Sequence, residues 1–349
     1  MRRFAAIFSL MVLLCGNAAA QQDTVRMSLI LPFKAATVPN NSAFDFYSGV
    51  LLALEEFGSD SVAVALEVYD SADSLGVPAG ALIFNDIVMG PISAADIAPL
   101  ARTLFWNKFL ISPLDPACAP MTDTLKIIQA PTSQEIQIRQ MAEWACENRS
   151  PEDSLVVVCE GNRYDPVQAV ITDVLDTLGQ PYVLTSCDIF EDVDRIIGEK
   201  TGETGCNRII LASEREEFVK RITESVAVWD TLRTVNLYCP GKTRNFASIS
   251  DSLRTAAGVR TVTAYSIDDT HPRTTAFIVR YKELYGAAPN SFAFQGYDLT
   301  RYFVSLKLKS GYHWFRKLEE YKMEGLQSDF SFERGLTGFR NTAVRRIEY

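Results

Sequence analysis

The sequence lacks most of the residues and motifs on which enzymes and metal sites depend. It has only two histidines among 349 residues, and it has no P-loop, G-x-G-x-x-G, G-x-S-x-G or H-E-x-x-H motif. His271 precedes a proline, and His313 lies in an aromatic stretch. Carboxylate pairs such as Glu55-Glu56 lie on polar helix faces, which is typical of solvated charge. We therefore expect a binding protein rather than an enzyme, with no cofactor and no bound metal.

Other absences narrow the class further. No dense run of lysine and arginine occurs, and acidic residues outnumber basic ones by 43 to 34. Nucleic-acid binding depends on neutralising phosphates, so no nucleic-acid partner is expected. The seven cysteines form no C-x-x-C pair, which argues against zinc and thioredoxin-like sites. Six of them follow residue 20 and leave the disulfide pairing open, while Cys159 and Cys187 lie in predicted strands as candidate buried thiols.

The N-terminus has the features of a secretory signal. Arg2 and Arg3 precede the apolar run from Phe4 to Leu14, and Ala18 and Ala20 offer the small side chains accepted at a cleavage site. We predict a signal peptide over residues 1–20 and export to the periplasm. Removing it would take two of the 34 basic residues and none of the 43 acidic ones, which leaves a net charge of −11.

Two alternatives to a cleaved signal remain. The same residues are compatible with a buried N-terminal helix, and Cys15 allows a lipid-anchored N-terminus. The anchor is the less favoured reading because Leu14, immediately before the cysteine, is large. No later stretch has about twenty continuous apolar residues, so no transmembrane segment is predicted after signal removal.

Short β-branched runs alternate with helical patterns along the rest of the chain. The near-continuous apolar run Leu155–Cys159 is typical of a strand covered by helices on both faces of its sheet. Alternation of this kind predicts an α/β fold with parallel, doubly wound sheets. The strands are too numerous for one sheet of ordinary size, so we predict two lobes.

Several segments resemble a known family. Residues 87–93 (IVMGPIS), a helical stretch and then residues 110–113 (LISP) resemble the first lobe of the type I periplasmic binding proteins of the branched-chain amino acid type. Residues 277–290 (FIVRYKELYGAAPN), followed by residues 296–298 (GYD), are similar to that family's late Y-x-x-x-Y-G-x-x-P-x helix and its Y-D helix start. Residues 162–165 (NRYD) stand where the second lobe has its turn.

The resemblance implies an organisation for the whole chain. Lobe 1 would be residues 24–138 plus 262–308, and lobe 2 would be residues 139–261 plus 309–349, with three crossings forming a hinge. The family holds its ligands between lobes that close around them. This agrees with the general rule that open α/β sheets bind ligands at the carboxyl ends of their strands.

The resemblance also places the ligand site, and the sequence departs from the family there. Ser93 opens the helix after Gly-Pro, where backbone amides favour an anion. Asp115 stands where the family has a hydroxyl for the ligand carboxylate, and Lys242 stands where it has an acid for the ligand ammonium. These two departures argue against an ordinary amino acid as ligand.

Polar residues after other strands complete the candidate site. Ser213 and Glu214 follow one strand of the second lobe, and Arg163 and Tyr164 follow another. Each candidate also has a structural reading, as a helix cap, an exposed turn or a favourable charge at a helix start. The predicted ligand-binding residues are Ser93, Ala94, Ser112, Pro113, Leu114, Asp115, Arg163, Tyr164, Ser213, Glu214, Tyr297 and Asp298.

Two functions of different classes follow. The first is an exported receptor that captures a small polar ligand in an interlobe cleft and passes it to a membrane permease of the ABC type. The second is an envelope interaction module on the same fold, similar to the penicillin-binding protein activators, with a cell-wall enzyme as partner. The departures at Asp115 and Lys242 motivate the second hypothesis.

Overall fold

The computed structural model describes residues 24–35, 37–59, 62–73, 76–105, 107–161, 165–229 and 233–349. The predicted signal peptide, Cys15, Arg163 and Tyr164 lie outside the described residues. Two compact units make up the described chain. Unit 1 contains the residues up to Ser133 and Tyr265–Ala343, and unit 2 contains Gln134–Ala264 and Val344–Tyr349. The chain therefore passes from one unit to the other three times.

Strands and helices alternate through most of both units. The strands are β1 (Val25–Leu31), β2 (Val64–Asp70), β3 (Ile87–Met89), β4 (Leu110–Ser112), β5 (Ile127–Gln129), β6 (Ser154–Glu160), β7 (Val183–Cys187), β8 (Cys206–Ala212), β9 (Thr234–Pro240), β10 (Val259–Thr263), β11 (Met323–Glu324), β12 (Asp329–Phe330), β13 (Phe332–Arg334), β14 (Phe339–Asn341) and β15 (Arg345–Glu348). The α-helices are α1 (Asn41–Ser59), α2 (Ala79–Ile83), α3 (Ala94–Arg102), α4 (Gln134–Cys146), α5 (Pro166–Thr177), α6 (Val193–Gly198), α7 (Glu216–Ala227), α8 (Asp251–Ala256), α9 (Pro272–Tyr285) and α10 (Ser291–Ser310). Short 3₁₀ helices cover Pro116–Asp123, Gly241–Asn245 and Gly311–Lys317. Among the described helices, none combines the length and the apolar character needed to cross a bilayer.

Unit 1 is built on a seven-stranded sheet in the order β13-β14-β5-β4-β3-β1-β2. Its strands are parallel except β13, which runs antiparallel to β14. Because side chains alternate along a strand, Leu29 enters the core on one face of the sheet and Ile30 enters a second core on the other face. The central strands are thus buried on both sides.

Unit 2 repeats this plan with a six-stranded sheet in the order β15-β10-β9-β8-β6-β7. All neighbours are parallel except β10 and β15. Val156 and Val158 pack into one core, and Leu155, Val157 and Cys159 pack into another. The prediction of two doubly wound, mainly parallel sheets is confirmed, including the strand covered on both faces.

The C-terminal segment differs from its predicted place. Residues 309–349 were expected in the second lobe, but the structure assigns residues 309–343 to unit 1. The reason is that β14 pairs with β5, with Phe339 opposite Ile128, and that the fully buried Phe332 and Phe339 enter the unit 1 core. Only β15 joins unit 2, where Ile347 lies opposite Thr261. The other boundaries fall a few residues from the predicted ones.

The six cysteines of the described residues are all free thiols. Cys159 and Cys187 lie on the neighbouring strands β6 and β7 but enter different cores, on opposite faces of the sheet. Burial raises the pKa of each of these two thiols to about 11. Both are therefore structural apolar residues in this state.

Candidate functional site

The strand order of unit 1 defines where a ligand site is expected. Counting from the N-terminus, the five main strands stand in the order 2-1-3-4-5, and the winding direction reverses between β1 and β3. Ligands of doubly wound folds bind outside the carboxyl ends of the strands at this reversal. The connection from β3 to α3 starts at Gly90, which has φ of 96° and whose Cβ would lie 1.8 Å from the carbonyl oxygen of Ile30. Only glycine fits this close approach of two strand ends.

Ser93 is the N-cap of α3, as its structural reading proposed. Its hydroxyl accepts a hydrogen bond from the amide of Asp96 at 3.2 Å and donates one to the carboxylate of Asp96 at 2.6 Å. Both hydrogen bonds lie within the first turn of the helix. The Ser93 hydroxyl is therefore already engaged on both its donor and its acceptor side.

Asp115 supplies the anion at the start of α3. Its Oδ2 accepts a hydrogen bond from the amide of Ala94 at 2.7 Å, and its Oδ1 accepts one from the amide of Ala117 at 2.9 Å. The second bond caps the 3₁₀ helix Pro116–Asp123. A helix N-terminus favours a negative charge, and here the chain provides that charge itself.

The residues around Asp115 form one edge with Ser93. Ser112 is fully buried, and its hydroxyl is 3.5 Å from the carbonyl oxygen of Asp115. The carbonyl of Pro113 accepts a hydrogen bond from the side chain of Gln295 at 3.3 Å, and Leu114 packs against the unit 1 core. The structure thus brings Ser93, Ala94 and residues 112–115 together, as expected from neighbouring strand ends.

Aromatic side chains stand at the carboxyl end of β1, beside the reversal. The rings of Phe33 and Phe44 are 5.0 Å apart, and those of Phe33 and Tyr47 are 5.9 Å apart at nearly a right angle. Phe44 is 40% exposed, whereas Phe33 is buried. Phe46, between Phe44 and Tyr47 on α1, is fully buried in the core. This edge of the sheet therefore offers apolar surface as well as polar groups.

Asp298 lies in the middle of α10, so the predicted helix start there is wrong. The helix begins at Ser291 and is capped by Asn290. The Asp298 carboxylate is buried and accepts hydrogen bonds from the amides of Leu326, Gln327 and Ser328 at 2.7 to 3.1 Å. Because these three bonds fix the turn between β11 and β12, the carboxylate has a structural role.

Tyr297 points away from the edge that contains Asp115. Its side chain is buried among Phe277 and Phe294, and its hydroxyl donates to Glu56 on α1. Burial raises the pKa of Tyr297 to about 12, so the hydroxyl stays protonated at physiological pH. Its neighbours place Tyr297 in the helical layer of unit 1.

Unit 2 has the same reversal between β6 and β8, and its polar groups form two sets of contacts. Ser213 follows β8 and donates to Glu160, the last residue of β6, at 3.0 Å. Arg215 binds the same carboxylate at 2.6 Å. Glu214 accepts from Gln134 at 2.6 Å and lies 3.9 Å from Lys242. The side chains of Glu160 and Glu214 are each 17% exposed, so both are reachable by a solute.

Glu160 and Gln134 were not among the predicted site residues. Glu160 directly follows the apolar run of β6, and its position at a strand end was the available signal. Gln134 opens α4, and no local pattern indicates its contact with Glu214. Within the described part of the chain, no group of three or more metal-ligating side chains comes together.

Solved structures of transport proteins share this fold. A protein assigned as a branched-chain amino acid ABC transporter from Rhodospirillum rubrum has a TM-score of 0.64 and 16% identity, over 93% of this chain and 97% of that one. A similarly assigned protein from Chromobacterium violaceum has a TM-score of 0.57 and 15% identity, over 93% and 100%. A substrate-binding protein from Desulfitobacterium hafniense, in complex with Leu, has a TM-score of 0.51 and 16% identity, over 94% and 98%.

At these identities the likeness establishes a shared fold. The chain has the type I periplasmic binding fold that the sequence predicted. No protein-family model matches the chain, and no curated protein matches its sequence.

Proposed function

We propose that the chain is an exported solute-binding protein that captures a small polar solute and delivers it to a membrane permease. The observation that carries the proposal is the repeated strand order, with polar side chains at the carboxyl edge of each sheet where its winding reverses. The fold is the one used by the substrate-binding proteins compared above. No catalytic step is part of the proposal.

The contacts at the unit 1 edge favour a solute that has no carboxylate facing the start of α3. A free carboxylate docking at the start of α3 would have to displace Asp115 from the amide of Ala94. The carboxylate of Asp115 is half-exposed and has lone pairs beyond the two it uses. It therefore favours a hydroxyl, amide or ammonium group of the solute.

The unit 2 edge supports a polar rather than a strongly charged solute. Glu160 and Glu214 are each paired with a cation, Arg215 and Lys242 respectively. Each set of contacts is close to neutral, and its carboxylate retains acceptor positions. Each edge, taken by itself, fits a neutral or singly cationic solute rich in donors.

The proposal is tested by thermal-shift screening of polar metabolites, followed by calorimetry on the hits. We expect a donor-rich solute to raise the melting temperature, and Asp115→Asn or Glu214→Gln to weaken its binding about tenfold. Asp173→Asn, which alters an exposed ion pair of α5, serves as the control and should bind normally. A library without any hit, or hits indifferent to both variants, would count against the proposal.

One observation favours the second candidate, an interaction module of the envelope. The Ser93 hydroxyl and the Ala94 amide are both satisfied within the chain, as expected for a former ligand site that no longer receives a solute. Purification from envelope extract discriminates the two candidates. A receptor retains a small molecule detectable by mass spectrometry, whereas an interaction module retains a cell-wall enzyme and no small molecule.

A further inference from the structure

A pocket lies wholly within unit 1, in the helical layer formed by α1, α9 and α10. Its volume is about 420 Å³, within the range of small-molecule sites. The helix α1 starts after the carboxyl end of β1 and continues about 20 Å before it reaches Leu52 and Glu55, at 1.5 Å per residue. The pocket is therefore separate from the edge that contains Asp115.

The floor of the pocket is apolar and well packed. Leu52 and Phe277 are 4% and 5% exposed, and Tyr297 is 4% exposed. The rings of Phe277 and Tyr297 are 4.7 Å apart. These side chains form a fixed apolar surface against which a small organic group can pack.

Two of the three arginines around this floor are neutralised. Arg280 on α9 pairs with Glu55 on α1 at 2.5 Å. Arg301 on α10 pairs with Glu56, and its guanidinium also stacks 5.8 Å from the centre of the Tyr297 ring. These two ion pairs connect α1 to α9 and to α10, and each pair is neutral as a whole.

Arg273, in the first turn of α9, is the remaining charge. Arg273 lines the pocket beside Tyr297, close enough for its charge to act against the rise that burial causes in the pKa of Tyr297. The Tyr297 hydroxyl itself donates to Glu56. Within the described residues Arg273 forms no ion pair. A guanidinium has five N–H donors in a planar fork that fits a carboxylate, so most of its donors are available to a ligand.

We propose that this pocket binds a small organic monocarboxylate, with the carboxylate on Arg273 and its apolar body on Leu52 and Phe277. The positive charge of Arg273, which has no ion-pair partner among the described residues, matches the single negative charge of the ligand. A phosphate dianion fits less well, because the carboxylates of Glu55 and Glu56 stand in the same walls. The bidentate bond fixes the head group, and the apolar floor accounts for the rest of the ligand.

Phenylacetate is a suitable probe, and phenylacetamide is its neutral counterpart of the same shape. By calorimetry and amide NMR shifts, we expect phenylacetate to saturate the protein below about 10 mM and phenylacetamide to bind at least about tenfold more weakly. We expect Arg273→Gln to weaken the binding of phenylacetate about tenfold or more, since the substitution removes the guanidinium. Arg316→Gln, at an exposed arginine outside the pocket, is the matched control and should bind as the wild type does.

A second variant tests the location. Ala276 lines the pocket from an exposed position on α9, so Ala276→Trp should fill it and abolish binding without disturbing the core. Unchanged binding in Arg273→Gln or in Ala276→Trp, equal binding of the amide, or no saturation by phenylacetate would overturn the proposal. Asp115→Asn should leave phenylacetate binding intact, so this test and the test of solute binding fail independently.

Discussion

Replacing Asp153 by asparagine should destabilise unit 2 and change its response to acid. Asp153 precedes β6, and its side chain is 8% exposed. It pairs with Arg208 on β8, whose side chain is 10% exposed, at 3.0 Å. The carboxylate also accepts hydrogen bonds from the Cys206 amide at 3.0 Å and the Ser150 hydroxyl at 2.9 Å. The substitution removes the charge at the centre of this network.

The magnitude follows from what Arg208 retains. Its guanidinium also donates to the carbonyls of Ala145, Glu147 and Asn148, which end α4. Removing one partner of a buried ion pair costs about 3–5 kcal/mol, because the other charge stays buried. Since these carbonyls still accept hydrogen bonds from the guanidinium, we expect Asp153→Asn to lower the free energy of unfolding by about 3 kcal/mol at pH 7.

The pH dependence has a definite sign. Burial opposes ionisation of Asp153, but hydrogen bonds from Cys206 and Ser150 and the charge of Arg208 outweigh it and lower the pKa from 3.8 to about 2. A lowered pKa stabilises the folded state above the unfolded pKa, and this stabilisation is lost as the pH falls toward 2. The difference between the unfolded and folded pKa of Asp153 contributes about 2 kcal/mol to the free energy of unfolding at neutral pH, and about 1 kcal/mol of this is lost at pH 3.

Urea unfolding at pH 7 and pH 3 measures both effects. Trp144 on α4 is 7% exposed. Because the chain has four tryptophans, its contribution to the fluorescence is obtained by difference from a Trp144→Phe background. Asp173→Asn, whose carboxylate is 59% exposed in its pair with Arg139, is the control and should cost less than about 1 kcal/mol. The reasoning is refuted if Asp153→Asn costs under about 1 kcal/mol, or if its cost is the same at both pH values.

Three further predictions concern single sites. Asp298→Asn should destabilise unit 1 by about 2–4 kcal/mol in calorimetry, because an amide cannot accept three backbone N–H bonds as the carboxylate does; a cost below about 1 kcal/mol would contradict the role given to Asp298. Gly90→Ala should lower the free energy of unfolding by more than about 3 kcal/mol, since the added Cβ would meet the carbonyl of Ile30. Gly76 has a φ of 68° and no atom within 4 Å of its Cβ position, so Gly76→Ala should lower it by only about 1–2 kcal/mol; thermal unfolding measures both. Cys239, whose pKa burial raises to about 12, should resist a thiol reagent at pH 8 until the protein is unfolded; labelling of the native protein at this residue, read by mass spectrometry, would show that β9 opens.

Much of the fold is predictable because the signals are local. An apolar run such as Leu155–Cys159 reports burial on both faces, and proline and glycine mark the strand ends. The C-terminal segment was not predictable in this way. The strands β13 and β14 have only three residues each, and β5, with which β14 pairs, lies about two hundred residues earlier in the chain. Such pairing depends on long-range contacts that no local pattern encodes.

The proximity of the unit 1 candidate residues was predictable from the sequence, but their contacts were not, and their role in binding stays a prediction. Neighbouring parallel strands end at one edge, so Ser93 and Asp115 had to be close once β3 and β4 were recognised. That Asp115 reaches the amide of Ala94 depends on the backbone path into the following 3₁₀ helix. Asp298 was misread because its partners, the amides of residues 326–328, are distant in sequence. The true start of its helix was visible locally as Asn290 after a proline.

The carboxylate of Asp115 has a consequence for competition. Tethered to the chain, it meets the amide of Ala94 at an effective concentration of roughly millimolar or higher, and it gives up little conformational freedom on binding there. A dissolved carboxylate starts from a lower concentration and must also give up its own translational freedom. The unit 1 edge can therefore exclude dissolved carboxylates from the start of α3 without any steric gate.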